Sequence, residues 1–347
     1  AVVHPGAGNI GGGGFMVVRL ADGTVTTLDF RETAPAAASR DMFLDDSLNV
    51  IPGKSWNTSW ATGVPGSVAG FGLAHEKYGS LNWQELVNPS AKLATDGFPL
   101  DYQNMQTFDH PYYQDYLSND EETAAIFTRD EPFRLSQQFT QIDLGHTLSR
   151  IAKNGWTEFY KGETADMIKK CMQRTNGLIT KSDLENYEAI ERNPITFKYR
   201  DYEVHSMPPA SSGGITIAGI LNQLENVVMD SLNYHSADHI HYVAEAERRV
   251  YADRSEFMGD IDFVPVPIQK LISDEYANER WESVDSLTAS NSEDITHGDI
   301  PFNFPESEET THYSVVDKWG NAVSVTTTIN GWYGNGIVVD GAGFLLN

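Results

Sequence analysis

T-T-H-Y-S-V-V-D-K-W-G-N-A-V-S-V-T-T-T-I-N (residues 310 to 330) contains two β-rich runs, H-Y-S-V-V-D (312 to 317) and N-A-V-S-V-T-T-T-I-N (321 to 330). Between them lies Lys318-Trp319-Gly320. Branched and aromatic residues on either side of a short Gly-containing link predict a hairpin. The chain before it has the opposite character. From Trp281 to Thr310 there are eight acidic residues, no Lys or Arg, and several Ser, Asn and Pro, which predicts a solvated, flexible connector. An acidic linker that ends at a Thr-Thr pair opening a strand suits a self-cleaving threonine nucleophile. The bond must be accessible before cleavage, and the new amino terminus must be held rigidly after it.

Working outward, F-M-V-V-R-L (15 to 20) and T-V-T-T-L-D-F (24 to 30) flank Asp22-Gly23, a strong hairpin signal. From Ser67 to about Gly177 the pattern turns helical, including S-V-A-G-F-G-L-A-H-E-K-Y-G (67 to 79) and T-L-S-R-I-A-K-N-G (147 to 155). A further hairpin is predicted around Arg200-Asp201. Helices are predicted over 213 to 224 and 236 to 254. The organisation expected is sheet over 1–64, a mainly helical block over 65–185, hairpin and helices over 186–280, the acidic linker over 281–309, and a new unit from 310 to 347. The chain opens A-V-V-H-P without an initiator Met and stops on G-A-G-F-L-L-N (341 to 347), an apolar run predicted to be a strand in progress. A fragment lacking both ends is expected.

Composition excludes several classes. With 347 residues and 40% hydrophobic content the chain has the material for a sizeable core. A formal charge of −25 repels phosphate backbones and anionic lipid, so nucleic acid and membrane surfaces are poor partners. No apolar run approaches the ~20 residues of a membrane span. Cys171 is the only cysteine, which rules out an intrachain disulfide; its helical spacing from Ile168 and Met172 predicts a buried hydrophobe.

Several motifs match known chemistry only in part. G-A-G-N-I-G (6 to 11) fits the dinucleotide fingerprint by letter, but it follows His-Pro and precedes three more glycines and a strand, so a loop allowing close backbone approach is the better reading. Gly53-Lys54-Ser55 resembles the end of a phosphate loop, yet the first glycine would fall on Leu48. His235, His239 and His241 form an incomplete metal set, since Ser236 is expected to cap the helix and leave His235 outside it. No serine has glycine at both flanking positions required for a nucleophile elbow. Ser211-Ser212-Gly213-Gly214 suits either a helix cap or an anion-facing loop.

H-P-G-A-G-N-I-G-G-G-G-F-M (4 to 16), D-F-R-E-T-A-P (29 to 35), S-M-P-P-A-S-S-G-G (206 to 214), Y-A-D-R-S-E-F (251 to 257) and the block from 310 to 330 together resemble gamma-glutamyltranspeptidase, in order and over nearly the whole chain. The resemblance implies an α+β fold, the four-layer αββα sandwich of N-terminal-nucleophile (Ntn) hydrolases, with the helical block packed alongside. It implies self-cleavage between Glu309 and Thr310, giving a large chain that ends at 309 and a small one that starts at 310. Thr310 would then be nucleophile and amino terminus at once, its free α-amine taking the hydroxyl proton.

By the same resemblance Thr328 hydrogen-bonds the nucleophile, Asn330 contacts the glutamyl head, and Arg31 holds the substrate α-carboxylate, a task suited to a planar two-pronged donor. The implied reaction is γ-glutamyl transfer and hydrolysis of glutathione and other γ-glutamyl amides, with water, an amino acid or a peptide as acceptor. No metal or organic cofactor is implied, and a periplasmic or extracellular location is. The family's oxyanion glycines, serine pair and remaining amine-binding residues would lie past Asn347, so the chain alone is expected to be incomplete. The alternatives are a glutaryl or cephalosporin acylase, against which Arg31 argues, and an unprocessed, non-catalytic relative.

Overall fold

The computed structural model describes residues 1–8, 10–298 and 311–347. Nine strands are present among them: β1 (Gly13–Arg19), β2 (Val25–Asp29), β3 (Phe98–Pro99), β4 (Gln138–Phe139), β5 (Ile190–Arg192), β6 (Ile195–Tyr199), β7 (Tyr202–Ser206), β8 (Thr311–Val316) and β9 (Ala322–Thr328). β1 and β2 pair from Phe15↔Asp29 to Arg19↔Val25. Their turn is closed by Gly23 in the left-handed region (φ 91°) and by Asp22, whose carboxylate accepts from the Thr24 N–H at 2.9 Å.

The hairpin from 312 onward forms as predicted. β8 and β9 pair from Thr311↔Thr327 to Val316↔Ala322. The Asp317 carboxylate accepts from the Trp319 and Asn321 N–H groups at 2.8 and 2.9 Å, and Gly320 takes φ 92°. β9 then pairs β1 across more than 300 residues of sequence, from Gly13↔Thr328 to Arg19↔Ala322. The result is a five-stranded antiparallel sheet in the order β5-β2-β1-β9-β8. β6 and β7 form a separate ribbon, paired from Ile195↔Ser206 to Tyr199↔Tyr202.

Alternation sorts the two faces of the sheet. Met16, Val18, Leu28, Phe30 and Val325 point to one side, where they pack with Phe71, Leu73 and Tyr78 of the helix Ser67–Tyr78. Leu28 and Phe30 are fully buried, each contributing about 1.5–3 kcal/mol of transfer free energy. The other side carries Phe15, Val17, Ser324, Thr326 and Thr328, which line a cavity. Gly12 and Gly14 let β1 approach β9 closely: a Cβ on Gly12 would lie 1.9 Å from the Thr328 carbonyl oxygen, and one on Gly14 2.1 Å from that of Thr326. The glycine run is therefore a close-approach device, as its sequence context indicated.

The helical block forms the largest core. Trp83–Asp96, Ile142–Asn154 and Glu163–Thr175 are its longer helices. Their apolar faces enclose Ile329, Tyr333, Val338, Val339 and Phe344 from the end of the chain. Cys171 is buried there, and burial pushes its thiol up to about 11. The expected strand over 341–347 does not form. Gly341 and Gly343 both adopt positive φ (69° and 74°), so the chain turns back and makes only a single bridge, Val338↔Leu345.

A third core joins the β6–β7 ribbon to the helices Gly213–Leu224, Ala237–Phe257 and Asp274–Trp281 through Ile195, Phe197, Ile215 and Phe257. Ser236 caps the second of these by accepting from the His239 N–H at 3.3 Å, and His235 sits outside it at φ 60°. His235 stacks on Tyr234, while His241 Nε2 bonds the Asp285 carbonyl at 2.8 Å. No helix among the described residues is long and apolar enough to cross a membrane.

Candidate active site

The cavity on the open face of the sheet has a volume of about 750 Å³. One wall is built where β2 and β9 end. Arg31 follows β2, and its main chain is held on both sides: its N–H donates to Asp29 Oδ1 at 3.1 Å, and its carbonyl accepts from the Tyr187 hydroxyl at 2.8 Å. Asp29 is itself buried and fixed by Arg192 Nε at 2.8 Å. The Arg31 guanidinium lies 5.9 Å from the centre of the Phe15 ring on the cavity floor. Holding the main chain on both sides fixes the point from which the long cationic side chain sets out.

Thr328 ends β9, and its hydroxyl accepts from the Asn330 N–H at 2.8 Å. That contact shapes the turn in which Asn330 takes φ 69°, a conformation asparagine tolerates better than most residues. Arg31, Thr328 and Asn330 all line the same cavity. The other two residues singled out from the sequence, Glu309 and Thr310, lie outside the described residues.

Strand alternation brings further groups to this wall that sequence reasoning assigned no role. His312 bridges β8 and β9, with Nδ1 at 2.8 Å from Thr326 Oγ1 and Nε2 at 2.9 Å from Ser324 Oγ. The signal was available in the period-two set 324, 326, 328 opposite 312. Glu32 is a second omission. Burial pushes its carboxyl up to about 7, partly offset by hydrogen bonding to its own main chain and by the neighbouring Arg31 charge. One of its oxygens, Oε1, has no hydrogen-bond partner. Its enclosure against Gly13 and Gly63 depends on long-range packing.

Asn347 ties the rim together, donating to the Gly11 and Gly63 carbonyls at 2.8 and 2.9 Å and accepting from the Gly63 N–H at 2.8 Å. The facing wall comes from the end of β7 and the following turn, with His205, Ser211, Gly213 and Ile217 on the cavity. Ser211 accepts from the Gly213 N–H at 3.2 Å, and Ser212 is held by Arg254 Nε at 2.9 Å, so the double serine shapes the turn from which the helix Gly213–Leu224 starts. Among the described residues no group of three or more His, Cys, Asp and Glu could hold a metal ion.

The residues that meet at this cavity come from the same segments that suggested a family, and a profile of the gamma-glutamyltranspeptidase family matches residues 1–347. The chain belongs to the gamma-glutamyltranspeptidase family. It is 49% identical over 352 residues to the glutathione hydrolase proenzyme of Escherichia coli (strain K12), an alignment covering all of this chain and 60% of that protein. It is 33% identical to the Acylase ACY 1 proenzyme of Pseudomonas sp. (strain V22), covering all of this chain and 62% of the other.

Among solved structures, that of Helicobacter pylori gamma-glutamyltranspeptidase superposes with a TM-score of 0.83 at 41% identity, covering 86% of this chain and 85% of that one. The cephalosporin acylase of Bacillus halodurans superposes with a TM-score of 0.80 at 22% identity, covering 99% of this chain and 62% of the other, a likeness of fold alone. This family member thus has the mixed helix-and-sheet fold shared by the transpeptidases and the acylases. It spans about 60% of the length of the curated relatives it matches.

Proposed function

We propose that the protein containing this chain transfers and hydrolyses γ-glutamyl groups of glutathione and related amides, through an ester on Thr310 formed after self-cleavage between Glu309 and Thr310. The observation that carries this reading is the meeting of Arg31, Thr328 and Asn330 on one cavity wall, beside a strand that opens at Thr311. The naming of several relatives as glutathione hydrolase proenzymes supports both the substrate class and a precursor that is cut. In this reading residues 1–309 belong to the large chain and 310–347 begin the small one. The described five-stranded sheet supplies one sheet of a four-layer αββα sandwich.

The chemistry follows from the groups. The Thr310 hydroxyl attacks the γ-carbonyl and its proton passes to the free α-amine, whose ordinary pKa of about 7.7 to 8.0 suits a base near neutrality. The leaving amine takes a proton, and water or an acceptor amine then resolves the ester. Arg31 pairs with the α-carboxylate, Asn330 contacts the glutamyl head, and Thr328 orients the nucleophile. An acylase reading draws on the 33% identity to Acylase ACY 1. Side-by-side assay of the full-length protein on a γ-glutamyl anilide and on glutaryl-7-aminocephalosporanic acid decides between them: turnover of the first alone fits the proposal, and turnover of the second alone refutes it.

A further inference from the structure

Alternation along β2 sends Leu28 and Phe30 to the helix side of the sheet and Thr27 and Asp29 to the cavity side, opposite Val17 and Phe15 of β1. β5 adds Arg192 to that row. It stands opposite Thr27, whose hydroxyl donates to the Arg192 carbonyl at 2.9 Å. From there the guanidinium reaches diagonally to Asp29, Nε to Oδ2 at 2.8 Å. Its other two nitrogens meet Asp262 Oδ1 and Oδ2 at 3.0 and 2.5 Å, in the turn that follows the helix Ala237–Phe257. Asp29 is buried and Arg192 nearly so, whereas Asp262 is half-exposed.

The cation of the cavity wall is close to this pair. An extended chain places Arg31 about 6–7 Å from Asp29 between Cα atoms, within the span of an arginine side chain. At the Glu32 carboxyl, where burial is the main influence, the Arg31 charge lowers the pKa and the Asp29 charge raises it, so the three groups share one field. Asp29 spends Oδ1 on the Arg31 N–H at 3.1 Å and Oδ2 on Arg192.

Taking away the Arg192 charge would leave a buried carboxylate uncompensated, with Arg31 beside it. Attraction between unit charges is strong where water is largely excluded. A guanidinium folded back onto Asp29 cannot at the same time make a two-pronged contact with a substrate carboxylate.

We infer that Arg192 is a positioning residue for the substrate clamp: it neutralises Asp29, so that this carboxylate holds the main chain of Arg31 and does not draw its guanidinium away from the substrate. The inference rests on the proposed function, in which Arg31 grips the α-carboxylate. Capture by Asp29 would act as a competing state. If it left the guanidinium available a tenth of the time, KM would rise about tenfold with little change in kcat.

The experiment measures KM and kcat of the full-length protein for a γ-glutamyl anilide. Arg192→Gln drops the charge and keeps a donor for Asp29, whereas Arg192→Lys keeps the charge on a shorter side chain. Asp29→Asn combined with Arg192→Gln removes both charges and still offers the Arg31 N–H an acceptor. The expected result is a KM raised about tenfold in Arg192→Gln with kcat little changed, and a KM within about threefold of the parent in Arg192→Lys and in the neutral pair. Added to Arg31→Ala, Arg192→Gln should raise KM no further.

A parent KM in Arg192→Gln overturns the inference. So does a KM raised as much in Arg192→Lys, in the neutral pair or on top of Arg31→Ala, since that pattern marks a packing role. Should Arg192→Gln alone fail to fold, the neutral pair buries no unpaired charge and decides the matter: a parent-like KM supports the inference and a raised one overturns it. Failure of the functional reading looks different, because it appears with Arg192 intact: no turnover by the parent, or a parent KM in Arg31→Ala, refutes that reading and the inference with it.

Discussion

Arg31→Ala removes the guanidinium from the cavity wall while leaving its supports in place, since Asp29 and Tyr187 hold the main chain of residue 31 and not its side chain. The loss is therefore local. A hydrogen bond to a charged group contributes about 1.5–3 kcal/mol. At about 1.4 kcal/mol per factor of ten, KM for a γ-glutamyl anilide should rise about 10-fold to 150-fold. In the proposed function the α-carboxylate is gripped alike before and during reaction, so kcat should change much less than KM. Arg31→Lys keeps the charge but loses the two-pronged geometry and should fall between parent and Ala. The assay is steady-state hydrolysis by the full-length protein, with a denaturing gel to check that self-cleavage persists. A KM within twofold of the parent in Arg31→Ala would reduce this residue to a structural cation and refute the reasoning.

Thr328→Ala removes the acceptor that sets the Asn330 turn and the hydroxyl proposed to orient the nucleophile, so both self-cleavage and turnover should slow, with Thr328→Ser restoring much of each; parent rates in the Ala variant would remove Thr328 from the site. Glu32 is raised from an ordinary 4.5 to about 7, so the folded protein holds a proton that the unfolded chain releases. Its stabilising effect is complete below about 4.5 and lost as pH rises through about 7, with a slope of at most about 1.4 kcal/mol per pH unit. Glu32→Gln should flatten that part of the profile in urea unfolding at pH 5 and pH 8, and an unchanged difference would contradict the assignment. Tyr160→Phe should destabilise by about 1–3 kcal/mol, because the buried Pro65 carbonyl and Ala69 N–H lose their partner; urea unfolding that matches the parent would show that those groups find another.

The parts of the fold visible in sequence are those fixed by local chemistry. Asp22-Gly23 and Asp317 to Gly320 turn their hairpins through a positive-φ glycine and a carboxylate that binds the following N–H groups, and both signals are readable residue by residue. The helix start at Ser236 was equally plain. Pairing of β9 with β1 was not, because no local feature announces a contact across 300 residues.

Two expectations failed, one to local glycines and one to a distant helix. The 341–347 run was apolar enough for a strand, but Gly341 and Gly343 bend it into the helical core. The 281–309 stretch was polar enough for a free connector, but Glu245, Arg249 and Asp253 on a distant helix bind its described part, 283–298. At the cavity, Arg31, Thr328 and Asn330 were recognisable from their motifs, whereas Glu32 and His312 gain their settings only through packing and cross-strand pairing.

The central claim, that Thr310 is both the nucleophile of self-cleavage and the new amino terminus, is tested most directly by expressing the full-length protein with and without Thr310→Ala. The small chain of the parent should begin T-T-H-Y-S on amino-terminal sequencing. Thr310→Ala should give one uncut, inactive band. A small chain beginning at Thr311, or a Thr310→Ala protein that still cleaves and turns over a γ-glutamyl anilide, would contradict the account.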